Sequence, residues 1–472
     1  MRSIGLIAQW VVRSALVDTK VWALTGLSLI GALVCGTVAT GEFRERRVEY
    51  DTLVADQRLA SERARTGLQS FLSREAQEAS VIPREQLAAF LSQSASRRAA
   101  FAAHLYAYEH ELVFLGDPTA TSLLVGGAGA RFGHVARIAG RPGSSLAPWN
   151  DREVYTLSAS GGPTVHGVLP MPDLAGFVGV VLSVMALLLS IGQIAEEREN
   201  GVLRVVMAQP LSRSQLFVGK YLGVLAISVV SAVLTFAGYL LVPVADGILS
   251  LSADTVGRLA IMLLASLVYL SLFALAGLTL SARMSSGMAT VAGLSFWFLA
   301  NLAIPAMSGP ATRWWEHPTT YEDLGAAKRR EYSSARGSGT SPSEASVLLT
   351  RLEEAEVAQV GAWKVAARAA AGCSPLFSYR SVCEVVAGTQ LDAYERAVQR
   401  LYEARRLICQ SQAVPKAPPF PELQPFPPPG VFAANATGVT WDEVVVPVLA
   451  LLLANGALFA YGLSALRARD LT

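Results

Sequence analysis

Charged side chains cluster in one stretch of this sequence. In IAEERENGVLRVVMAQPLSRSQLFVGKYLG, Ile194 to Gly223, the carboxylates of Glu196, Glu197 and Glu199 surround Arg198, Arg204 and Arg213 follow, and Lys220 closes the run. Gly201 permits a sharp turn, Val202 to Ala208 reads as a short apolar helix carrying Leu203 and Val206, and Pro210 breaks it before Ser212. A short rigid helix held crosswise, with charges at one end, can pass motion from a soluble body into neighbouring helices. A solvated loop is the competing reading of the same residues.

Other chemistry is absent from the pattern. No Gly-x-x-x-x-Gly-Lys-Ser/Thr phosphate loop occurs, so the chain is not expected to hydrolyse ATP itself. The glycine-rich run Gly126 to Gly140 lacks that ending and reads as turns joining short strands. His104, His110, His134, His166 and His317 are scattered, which predicts no metal site and no cofactor. SASGG, Ser158 to Gly162, lacks nucleophile-elbow spacing, and no catalytic residue is assigned. Cys35 lies in an apolar run, whereas Cys373 and Cys383 form a candidate disulfide in an oxidising compartment, with Cys409 left over.

The elements that must position the charged stretch are membrane helices. The chain has 472 residues, of which 52% are hydrophobic and 16% charged, and a mean hydropathy of +0.39, too apolar for an ordinary soluble enzyme. The net charge of +2 gives no reason to expect nucleic-acid binding. A bilayer core about 30 Å thick takes roughly 20 apolar residues per helix. Six runs qualify, 22–40, 174–194, 218–244, 257–281, 287–307 and 443–465. Pro243 in the third, and Asn301 and Pro305 in the fifth, predict irregular helix near the ends of those two spans. Few ionisable groups lie deep in the spans, which disfavours an ion-coupled carrier. Gln193, Tyr239, Asn301, Asn455 and Tyr461 are read as interhelical hydrogen-bonding groups, with substrate contact as the alternative. Small residues such as Ala274, Gly277, Ala289 and Gly293 are read as allowing close helix packing.

Residues 1–21 place Ile4, Ile7, Val11 and Ala15 at helical spacing between Arg2, Arg13 and Lys20, which predicts an interfacial amphipathic helix. A signal peptide is the competing reading, disfavoured by the length before LVCG. Basic residues at Arg2, Arg13, Arg198, Arg204, Arg213, Lys220, Arg283, Arg467 and Arg469 put both termini and the loop 195–217 on the cytoplasmic side. Segments 41–172 and 308–441 are then exported, and 466–472 is a cytoplasmic tail. The first segment is predicted to continue the first span as a helix to about Ser80, stop near Pro83 and resume to about Glu111. The second should hold amphipathic helices at Glu344 to Ala371 and Leu391 to Ser411, then a stiff Pro-rich connector from Lys416 to Gly430. Asn435 to Thr437 fits a glycosylation pattern by chance. The fold class is an all-α polytopic membrane protein with six transmembrane helices, an N-terminal interfacial helix and two mainly helical extracytoplasmic domains.

Glu-Arg-Glu, Gly201, Leu203, a short apolar run, Gln-Pro-Leu-Ser-Arg and Gly-Lys together resemble the hallmark of ABC-2 type permeases, departing mildly at Val202 and Leu211. The stretch Ser374 to Arg406 is similar to the second external segment of the branch with two enlarged extracytoplasmic domains, which includes permeases for gliding motility and copper-enzyme maturation. The resemblance implies that residues 196–213 are a coupling helix on a separate ATPase subunit, with Glu196, Glu197, Arg198, Glu199 and Arg204 as polar candidates and Leu203 and Val206 as apolar plugs. Gly201, Pro210, Ser212 and Arg213 would shape the segment. The resemblance further implies a non-catalytic subunit in the inner membrane, pairing with a second permease copy and exporting a substrate, an amphipathic one by the weak polarity of the spans. A mechanotransmitting protein acting on a periplasmic partner, and a membrane sensor without an ATPase, are the alternatives.

Overall fold

A computed structural model describes residues 2–81, 83, 86, 112–115, 119–126, 135–139, 153–157, 173–306, 330, 334, 372–390 and 441–468. The predicted helices at 344–371 and 391–411, the Pro-rich connector, Asn435 to Thr437, the five histidines, SASGG and Cys409 lie outside the described residues, as does nearly all of the predicted helix from 84 to 111.

Six described helices are long and apolar enough to cross a membrane. The chain opens with α1, Arg2–Val17, followed by α2, Thr19–Val81, whose apolar part is Val21–Thr52. From Glu42 onward, within the last residues of that part and beyond it, α2 is charged, and i,i+4 pairs such as Arg46 with Glu42 at 3.2 Å and Arg47 with Asp51 at 3.6 Å support the exposed helix. Pro83, just past its end, cannot extend it. Three short strands follow, β1 (Leu112–Leu115), β2 (Val135–Ala139) and β3 (Glu153–Leu157), in one antiparallel sheet of order β1-β2-β3. Leu112 pairs with Ile138, and Ala136 with Thr156.

The second span, α3 (Leu174–Glu199), contains a π-helical turn at Val178–Leu182. Then come the short α4 (Val202–Met207), α5 (Arg213–Ala245), α6 (Ala253–Arg283) and α7 (Ser286–Ala306). A second π-helical turn, Leu299–Ala303, sits where Pro305 offers no N–H and crowds the carbonyl of Asn301. Pro243 leaves α5 helical to Ala245. After α8 (Pro375–Ala387) the last span is α9, Trp441–Ala468.

Small residues set the helix packing. A Cβ on Gly277 of α6 would stand 2.0 Å from Ser190 Oγ and 2.7 Å from the Leu187 carbonyl of α3, so only glycine allows that approach. Ala274 and Ala289 are buried in the same bundle. Polar side chains tie helices together: Ser271 of α6 donates to Asn455 Oδ1 of α9 at 2.7 Å, and Asn455 donates to the Val268 carbonyl at 3.0 Å.

One part of the second long segment returns into the bundle. Helix α8 has Ser374 as N-cap, Pro375 in its first turn and Gly388, at φ 74°, beyond its last residue. Ser374 donates to the Ala300 carbonyl at 2.7 Å, and Tyr379 stacks on Tyr269 with ring centroids 4.7 Å apart. Tyr269 and Ala300 lie well inside α6 and α7. Non-spanning backbone at that depth is stable only when enclosed by protein, and most of α8 is buried.

The candidate disulfide is not formed in this structure. Cys373 is exposed ahead of α8 and Cys383 is buried within it, and the two are not joined. The helical rise from Pro375 to Cys383 is about 12 Å, whereas a disulfide needs Cα atoms within about 7 Å.

Candidate functional site

The loop between α3 and α5 is built from the end of one span to the start of the next. Helix α3 runs past its apolar residues to Glu199, Asn200 closes it, and Gly201 at φ 75° turns the chain into α4. Helix α4 ends after six residues at Met207, Ala208 caps it, and Pro210 separates it from Ser212. Ser212 caps α5 reciprocally with Gln215: its hydroxyl accepts from the Gln215 N–H at 3.2 Å, and Gln215 Oε1 accepts from the Ser212 N–H at 3.0 Å.

Burial divides α4 into two faces. Leu203, 3% exposed, sits in a cluster with Ile7, Ile194, Leu216, Phe217 and Leu278, and Val206, Met207 and Leu211 pack against it. Outward lie Val202, Arg204, Val205 at 68% exposure, Ala208, Gln209 and Pro210. Leu203 and Val206, expected as plugs into a partner, therefore anchor α4 to its own bundle, and the outward apolar positions are Val202 and Val205.

The charged residues also have inward partners. Glu197 Oε2 lies 2.5 Å from the Lys220 ammonium, which is 0% exposed, donates to the Gln193 carbonyl at 2.5 Å and stands 5.4 Å from the centre of the Trp10 ring. Arg198 donates to the carbonyls of Met284 at 2.5 Å and Ala282 at 3.4 Å, satisfying groups left open at the end of α6. Glu199 Oε1 accepts from the Ser286 N–H at 2.8 Å, capping α7 with a negative charge. One turn of α3 is thus fastened to α5, α6 and α7. Glu196 and Ser212 remain exposed, and Arg213 is half-buried.

Helix α1 completes the base. Its Ile7, Val11 and Ala15 stripe is buried. A Cβ on Gly219 would come 2.6 Å from Ile7 Cβ, and one on Gly223 would come 2.5 Å from Val11 Cβ. The two glycines of GKYLG form a small-xxx-small groove on α5 that receives α1, while Leu6, Trp10, Leu16 and Val17 stay exposed.

Sequence reasoning used Lys220 for topology and as part of the loop motif, not as a buried partner of Glu197; a lysine inside an otherwise apolar span was the available signal. It missed Asp173 and Arg380, an ion pair across 207 residues of sequence. Of the polar residues in the spans, Asn455, Tyr239 and Tyr461 bond to other parts of the chain. Gln193 receives Lys220. Neither amide atom of the buried Asn301 has a hydrogen-bond partner among the described residues. No group of His, Cys, Asp and Glu among the described residues could hold a metal ion.

These features define a multi-pass helical membrane protein whose second and third spans are joined by a loop carrying a short helix packed against the bundle. The chain belongs to the ABC-2 family of transporter proteins, whose family model matches residues 11–322, well over half of its length. The match takes in the first five spans and the whole braced loop. Membership makes the chain a membrane permease of an ABC transporter, in a family that implies an ABC ATPase partner and whose membrane subunits are generally not catalytic themselves. A comparison with curated proteins gave no match.

Proposed function

We propose that this permease couples ATP hydrolysis on a separate subunit to export, with residues 196–213 as the segment that docks on the ATPase. The observation that carries this reading is the two-faced α4: an inward Leu203 in a buried cluster with residues of α1, α3, α5 and α6, and an outward Val202, Arg204 and Val205. An exposed apolar side chain beside an arginine, on a helix that cannot slide independently, is what a docking ridge requires. Arg204, Arg213 and Arg283 at this end argue for the cytoplasmic side, with both termini there and the long segments exported across the inner membrane. A second copy of the permease would give two docking segments for two ATPases. The scarcity of unpaired charge in the spans favours an amphipathic cargo over a small ion.

The test uses full-length protein copurified from native membranes with its ATPase. Arg204→Glu and Val205→Asp should reduce ATPase recovery and permease-dependent ATP turnover while the permease remains folded. Unchanged recovery and turnover in both variants would remove the docking assignment.

The mechanotransmitting reading keeps support from α8, which joins part of the second long segment to the spans. ATP-dependent cargo flux in proteoliposomes favours export, and movement of the long segments without flux favours mechanotransmission.

A further inference from the structure

At the end of α3 opposite Glu197, a single carboxylate gathers three distant parts of the chain. Asp173, 4% exposed, caps α3 by accepting from the Gly176 N–H at 2.6 Å through Oδ1. Its Oδ2 accepts from the Gly126 N–H at 2.8 Å and from Arg380 Nη2 at 2.9 Å. Arg380 belongs to α8, its side chain is 9% exposed, and Glu384 flanks it at 3.7 Å.

The segments that meet here also hold one another. Thr121 donates to the Ala387 carbonyl at 2.8 Å, and the Ala175 N–H donates to the Leu124 carbonyl at 3.3 Å. Tyr239 donates to the Leu123 carbonyl at 2.6 Å and Arg258 to the Val386 carbonyl at 2.7 Å. Leu123, Leu124 and Val125 are buried beneath them. Residues 119–126 and α8, one from each long segment, therefore form a single block on the far end of α3.

An enclosed ion pair contributes little net stability compared with apolar packing, because desolvation offsets attraction. It does demand one geometry, since neither charge tolerates losing the other. Helix α3 joins this pair to the Glu197 and Lys220 pair.

We propose that Asp173 and Arg380 are positioning residues that fasten both long segments to α3, so that displacement of the 196–213 loop reaches residues 119–126 and α8 as one unit. This rests on the coupling reading of the loop. A purely structural pair would hold the fold without carrying a response, and the two roles separate experimentally.

The experiment is amide hydrogen exchange on the full-length permease with its copurified ATPase in nanodiscs, with and without ATP and vanadate. Wild type should show nucleotide-dependent changes at 196–213, 119–126 and 375–387. In Asp173→Asn/Arg380→Met, which removes both charges and keeps a capping oxygen, the change at 196–213 should persist and the changes at 119–126 and 375–387 should be lost. Arg380→Lys should restore them. Wild-type behaviour at the far peptides of the double variant would overturn the proposal. A silent 196–213 peptide in wild type would instead overturn the coupling reading, and the proposal with it. A second measurement needs no variant of the ion pair: Thr121→Cys and Ala387→Cys, joined by a bifunctional maleimide in a background without other cysteines, should leave the nucleotide response intact. Loss of the response on cross-linking would show that the two segments move relative to each other, against the proposal.

Discussion

Lys220 and Glu197 show how one residue's setting redirects a functional argument. An ammonium at 0% exposure, beside one carboxylate, one carbonyl and one indole ring, has no water to fall back on. Removing either charge alone should cost about 3–5 kcal/mol. We therefore expect Lys220→Met to lower the thermal midpoint in detergent sharply, and Lys220→Met/Glu197→Gln to recover most of it; equal losses in single and double variants would contradict the pairing. Cys383 offers an independent check on the packing of α8. Burial pushes its thiol up to about 12, so near pH 8 it stays protonated and poorly nucleophilic. In a background without Cys35 and Cys409, maleimide at pH 8 should label Cys373 and spare Cys383 until the protein is denatured; rapid labelling of Cys383 in the native state would mean that α8 is not enclosed. The residue types of the charged stretch were legible in the sequence. Their direction was not, because Glu196 and Glu197 are adjacent and only the position of Lys220, set by helix packing, decides which turns inward.

Elements were legible where local physics decides them. The six spans follow from apolar length, and Gly201, Pro210 and the Ser212 and Gln215 box mark the loop's turns. Helix α8 was not legible as part of the bundle: at 13 residues, with Arg380 and Glu384 inside it, it fails every criterion for membrane depth. Its burial depends on Asp173 and Tyr269, far away in sequence. Helix α1 is a mixed case, since periodicity predicted its amphipathic form, while the groove at Gly219 and Gly223 makes protein the surface its buried stripe meets. Gly223→Val should force α1 out of that groove, at about 1–3 kcal/mol for overpacking. With the other tryptophans replaced, quenching of Trp10 fluorescence by brominated lipid should rise in this variant. Unchanged quenching and unchanged stability would show that α1 does not depend on the groove.

For the whole molecule, fastening at both ends of α3 separates two kinds of defect. Residues that brace the loop, Glu197, Arg198 and Glu199, connect α3 to α5, α6 and α7, so disturbing them should loosen the permease itself. The outward residues Arg204 and Val205 are exposed and should be removable at within about 0.5 kcal/mol. The coupling reading therefore predicts two separate groups when thermal midpoint is plotted against permease-dependent ATP turnover. Arg204→Glu and Val205→Asp should lose turnover at a nearly wild-type midpoint. Arg198→Met should lower the midpoint, with turnover falling only as far as the folded fraction falls. If every variant instead falls on one line relating stability to turnover, α4 is simply part of the packed bundle, and the docking surface must be sought elsewhere on the same end of the protein.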